Sequence, residues 1–128
     1  MVAAFLVPEV VAREDGAGPV VDLGAAAGKS VLLTLGITRI LEQESLDLSI
    51  WGSADGQNWG AKPLQSFPQK FYCGTYSLLI DLSDKPDIRY LQARWKMGRW
   101  GRGELKPMFG FYVFAEEVGS ELLASATV

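Results

Sequence analysis

Between residues 44 and 52 the chain alternates: Leu46, Leu48 and Ile50 fall on one side, Asp47, Ser49 and Trp51 on the other. A period of two marks a strand with one face on a core and one toward solvent, so ESLDLSIWG is predicted as a half-buried strand. IRYLQARWKM (88–97) behaves the same way. Arg89, Leu91, Ala93, Trp95 and Met97 share one side, Ile88, Tyr90, Gln92, Arg94 and Lys96 the other, and the first set is predicted to face the core. Further strands are predicted at 19–24, 29–40, 69–74, 75–82 and 107–117, from their β-branched, aromatic and leucine content. Only EEVGSELLASA (116–126) has a helical look, weakened by Gly119. About eight short strands, parted by Gly, Pro and Asp, predict a single all-β domain over 1–128, an antiparallel β-sandwich or jelly roll.

The opening VAAFLVPEVV is too apolar to stand free in water. It has no basic residue before Arg13, and Pro8 and Glu9 interrupt it, so it makes a poor signal peptide. It reads as an early strand or as an N-terminal assembly arm within residues 1–18, adding to the sheet edge of another copy. No run of about 18 apolar residues is present, so no membrane span is expected.

Composition narrows the chemistry. The 128 residues include no histidine and one cysteine, Cys73. That removes Ser-His-Asp and Cys-His nucleophiles, an intrachain disulfide and most zinc sites. Carboxylate chemistry remains, but no catalytic residue, metal or cofactor is expected. A net charge of −3 argues against nucleic acid as a partner for the whole surface. DLSDKPD (81–87) clusters three aspartates around Pro86, which is turn chemistry. GAAAGKS (24–30) ends like a phosphate loop but lacks the spacing and the helix that such a loop requires.

SADGQNWG (53–60) carries a strong turn signal. Glycine tolerates positive φ, and Ser53 and Asp55 can cap nearby amides. Asp55-Gly56 is therefore predicted at the tip of a hairpin, with Trp59 packed back over it. Ser53, Asp55, Gly56 and Trp59 form the pattern SxDGxxW, which resembles the hairpin of discoidin-type and galactose-binding-like β-sandwiches. Arg89, Tyr90 and Leu91 resemble the late aRYvRl strand of those domains. LDLSIWGSADGQNW (46–59), followed by RYLQARW, is also similar to small phage-type structural proteins. The first resemblance implies a sandwich that binds sugars, lipids or proteins through loops; the second implies a subunit of a larger assembly.

ARWKMGRWGRGELK (93–106) is the most unusual stretch. Arg89, Arg94, Lys96, Arg99, Arg102 and Lys106 place half of the chain's twelve basic residues within the eighteen positions 89–106. Gly98, Gly101 and Gly103 suggest a loop that approaches a partner closely. Arg94, Lys96, Arg99, Trp100 and Arg102 are the candidate contact residues, with Trp100 a stacking platform. The function expected is a non-catalytic subunit that contacts its own copies or another protein. The alternative is a carbohydrate-binding module displaying Trp51, Trp59, Trp95 and Trp100.

Overall fold

The computed structural model describes residues 3–100 and 106–118. They hold nine strands: β1 (Ala3–Ala12), β2 (Gly16–Ala17), β3 (Val21–Asp22), β4 (Ser30–Ile40), β5 (Glu44–Ser53), β6 (Gln65–Ser66), β7 (Gly74–Asp81), β8 (Tyr90–Arg99) and β9 (Phe109–Val118). A 3-10 turn at Gly24–Ala26 tucks Ala26 into the core. Every pairing is antiparallel.

The strands form two sheets. One has the order β1-β9-β4-β7; the other runs β2-β8-β5-β6, with β3 also on β8. β2 and β3 lie along the same edge of β8, Gly16 opposite Trp95 and Asp22 opposite Tyr90. They are two halves of one interrupted strand. Counted so, eight strands in chain order make sheets 1-8-3-6 and 2-7-4-5, the paired Greek keys of a jelly roll.

The alternation read from sequence decides which side chains fill the space between the sheets. Val31, Leu33, Leu35 and Ile37 on β4 and Phe109, Phe111, Val113 and Ala115 on β9 point inward from the first sheet. Leu46, Leu48, Ile50, Leu91 and Ala93 meet them from the second, all at most 2 % exposed. Trp95 and Met97 are only partly buried and pack at the margin of this core. Arg89 is exposed and precedes β8, so the predicted face holds from Leu91 onward.

Several expectations change. QKFYCG is not a strand; only Lys70 bridges to Leu46, and the strand that pairs with β5 here is β6. With Pro63 and Pro68 around it, β6 lacks the apolar alternation by which a strand is recognised. The segment 94–99 is no loop: Arg94, Lys96, Gly98 and Arg99 all lie within β8, opposite Ser49, Asp47, Ser45 and Glu44. A ladder of ten pairs with β5 overrides the glycine at position 98. Of the two readings of the opening apolar segment the early strand holds: it is β1, paired with β9 of its own chain from Ala3↔Glu116 to Ala12↔Phe109. Of the helical reading at 116–126, residues 116–118 belong to β9 and the rest lie outside the described residues.

Candidate functional site

Ser53 ends β5 with its side chain buried, and its hydroxyl organises the turn that follows. Its Oγ accepts the amides of Asp55 (3.2 Å) and Gly56 (2.9 Å) and donates to Asp55 Oδ1 (2.9 Å). The same Oδ1 accepts the amides of Gln57 (2.9 Å) and Asn58 (2.8 Å). These amides, Asn58 foremost and then Gln57, with help from the Ser53 hydroxyl, hold the Asp55 carboxyl below its ordinary value of 3.8. Because the folded pKa is depressed, this contribution to stability is complete above the ordinary value. It is lost as pH falls through the lowered one.

Gly56 has φ +79°, as the turn requires. It is not a hairpin tip, however. It forms the first corner of the connection 54–64, and Gly60, at φ +73°, makes a second before β6 returns along β5. A Cβ at Gly56 would sit 3.6 Å from the Tyr90 ring, an ordinary contact. Gly56→Val is therefore expected to cost about 1–3 kcal/mol through backbone strain rather than collision. An unchanged melting temperature would show that the turn tolerates a β-branched residue.

The connection carries Trp59 back over the outer face of the second sheet. There the cross-strand register places Ser49 opposite Arg94 and Trp51 opposite Gln92. The Arg94 guanidinium lies 4.3 Å from the Trp51 ring centroid and 5.6 Å from that of Trp59. Arg94 Nε donates to Gln92 Oε1 (3.1 Å), and Gln92 Nε2 donates to the Gly18 carbonyl (3.0 Å). Trp51 Nε1 donates to Ser49 Oγ (3.0 Å), fixing that indole as well. Two rings and a side-chain amide thus hold one arginine flat against the sheet, where attraction to the aromatic faces offsets part of its desolvation.

Beside Arg94 a groove of about 720 Å³ crosses the sheet, lined among others by Asp15, Asp47, Trp51, Arg94, Trp95 and Lys96. Its two acids already have donors. Asp15 Oδ1 accepts the Met97 amide (2.7 Å), and Asp47 Oδ2 accepts Gln69 Nε2 (2.9 Å). The two cations have none among carboxylates: neither Arg94 nor Lys96 makes an ion pair among the described residues, although Lys96 stands opposite Asp47 in register. Trp95 Nε1 donates to the Glu14 carbonyl (3.1 Å), which ties the groove's wall to the strand edge.

The sequence candidates therefore separate. Arg94 and Lys96 share the groove face, and Trp59 joins Arg94 there. Arg99 closes β8 about 16 Å further on, its Nε donating to the Glu42 carbonyl (3.4 Å). Trp100 is 58 % exposed, donates its amide to Gln43 and sets its ring against Phe71 at 6.1 Å. Arg102 lies outside the described residues. Gln92 and Asp47 were not singled out from sequence. Their alternation with Arg94 and Trp51 marks the shared outward face, but the register that juxtaposes them is a property of the sheet.

Among the described residues no group of three or more His, Cys, Asp or Glu side chains is placed to hold a metal ion. Asp81 Oδ1 accepts the Ser83 amide in its turn (3.0 Å) and the Ser30 hydroxyl across the β4–β7 pair (3.2 Å), contacts that hold its carboxyl below its ordinary value, the Ser83 amide contributing most. Lys29 pairs with Glu117 at 3.0 Å. No family model and no curated protein matches the chain.

Proposed function

We propose that this chain is a non-catalytic interaction protein, a β-sandwich subunit that assembles with copies of itself into a larger, phage-like particle or filament. The observation that carries this reading is an apolar patch on the outer face of the sheet β1-β9-β4-β7, bordered by Thr75, Ser77 and Asp81 on β7 and Glu116 on β9. Phe5, 49 % exposed, packs its ring against Phe114 at 4.9 Å and Tyr112 at 6.2 Å. Leu32 and Leu79, opposite each other on β4 and β7, continue the strip. A sheet face that meets only water carries polar residues at such positions.

The contact would be made by the face rather than by the edge. β1 is an edge strand, but Pro8 removes a donor and register shifts between Phe5 and Val10 bend it away from a straight pairing line. A second copy suits the face. The whole face, four strands of eight to eleven residues, presents roughly 600 Å² per copy, about 1,200 Å² in all, which reaches the lower bound of stable interfaces. Charge also agrees: Glu116 stands at one end of the outer row of β9, and Arg39, opposite Gly110, stands at the other. Two copies stacked head to tail would bring each Arg39 over the other's Glu116. The likeness of residues 46–59 to phage-type structural proteins supports the same reading.

Light scattering on the full chain tests it. A dimer or larger species is expected, reduced to monomer by Phe114→Lys with the circular dichroism spectrum retained. Arg39→Glu should weaken the assembly, and Glu116→Arg in the same chain should restore it. A wild-type protein that stays monomeric at high concentration removes the proposal.

A second reading, a carbohydrate-binding module, is favoured by the pair of indoles flanking Arg94 beside an open groove. Jelly rolls serve capsid and lectin domains alike, so topology favours neither reading. Retention on a glycan array, lost in Trp59→Ala, would favour the second.

A further inference from the structure

We infer that the groove on the second sheet receives a saccharide bearing a carboxylate, with Arg94 as the group that pairs with the acid; this rests on the carbohydrate reading above. The groove's volume of about 720 Å³ lies inside the ~300–1,000 Å³ range of small-molecule sites. The unused donors of its one half-buried charged group point to the ligand class. Asp15 and Asp47 each have one carboxylate oxygen engaged, by the Met97 amide and by Gln69. Arg94 has spent only Nε, on Gln92, and has no carboxylate partner among the described residues.

Arg94 is half-buried, and its Nη donors face solvent with no protein acceptor among the described residues, open to a ligand that enters the groove. Two indole faces flank the guanidinium but accept nothing from the Nη atoms in the plane of the fork. Those donors suit a carboxylate, which takes two parallel hydrogen bonds from a guanidinium. Lys96, two residues along the same face, supplies a second unpaired cation about 7 Å away. Lys96 and Trp51 line the groove on opposite sides of Arg94, so a ligand held by the fork meets a cation on one side and an indole on the other. General attraction of anions does not account for such a site, since the chain carries a net charge of −3.

Calorimetric titration of the full chain with trigalacturonate and with its neutral counterpart, galactotriose, tests the inference. Trigalacturonate is expected to bind, and galactotriose to bind at least about 10-fold more weakly. Arg94→Lys keeps the charge but loses the fork. It is expected to lower the trigalacturonate affinity by about 10- to 100-fold, at an unchanged melting temperature, and to leave galactotriose unaffected. Equal binding of the two sugars, or full affinity in Arg94→Lys, overturns the acidic specificity while the carbohydrate reading stands. Binding of neither sugar overturns both. Tighter binding of a poly-glutamate peptide than of trigalacturonate also overturns the inference, and assigns the groove to a protein partner.

Discussion

Phe111→Ala is expected to destabilise the fold by about 3–5 kcal/mol, a large share of the ~5–15 kcal/mol that holds a domain of this size. Phe111 is fully buried on β9, which lies between β1 and β4, with Val10 and Ile37 as its register partners. Its ring meets Trp95 of the other sheet edge-to-face, with centroids 5.2 Å apart and planes at 79°. Truncation would open a cavity between the sheets and remove the support of an indole that organises a strand edge. Trp95 holds the Glu14 carbonyl, and Gly16 lies so close that a Cβ there would approach the indole to 2.9 Å. The loss should therefore reach β2. Urea denaturation measures it as a fall in midpoint at constant slope, and Phe111→Leu should recover more than half. A cost below about 1 kcal/mol would mean that the sheets collapse around the gap without strain.

Glu44→Ala is expected to cost about 3 kcal/mol for a different reason. Glu44 is only 1 % exposed, and its two carboxylate oxygens each accept a backbone amide, Leu41 at 2.8 Å and Met108 at 2.9 Å. One side chain thus ties the β4–β5 turn, where Gln43 has φ +58°, to the segment entering β9. Alanine removes the acceptor of two half-buried amides, at about 1–3 kcal/mol for each that water does not reach. Glu44→Gln keeps one acceptor and turns a donor toward the other amide, so about half the loss is expected. Hydrogen exchange separates this from simple loosening: Leu41 and Met108 amides should lose protection first in Glu44→Ala. Uniform loss across β4 and β9 would count against the tie.

The strands β4, β7 and β9 were legible from their β-branched, aromatic and leucine content; β5 and β8 were legible because each buries one face, and burying one face imposes a period of two on the sequence. Leu46, Leu48, Ile50, Leu91 and Ala93 were assignable to the core for that reason. The Ser53–Gly56 turn was legible too, because positive φ and side-chain capping demand particular residues. β2, β3 and β6 were not recognised as they stand; two-residue strands at an edge bury too little to leave a pattern. Glu44 was also invisible, since nothing local distinguishes a carboxylate that will accept an amide sixty-four residues away.

The all-β class, the inward face of β5 and most of that of β8, and the turn at Gly56 follow from constraints between near neighbours and can be read along the chain. That β8 runs straight through Arg94, Lys96 and Gly98 as a strand emerges from the folded sheet, because ten pairs with β5 outweigh a local preference for a loop. The tertiary structure alone brought Arg94 between Trp51 and Trp59, and it alone separated those residues from Trp100. Such encounters depend on strand register and on the path of the connection 54–64. Register is set by the packing of the whole core, which no short stretch of the chain contains.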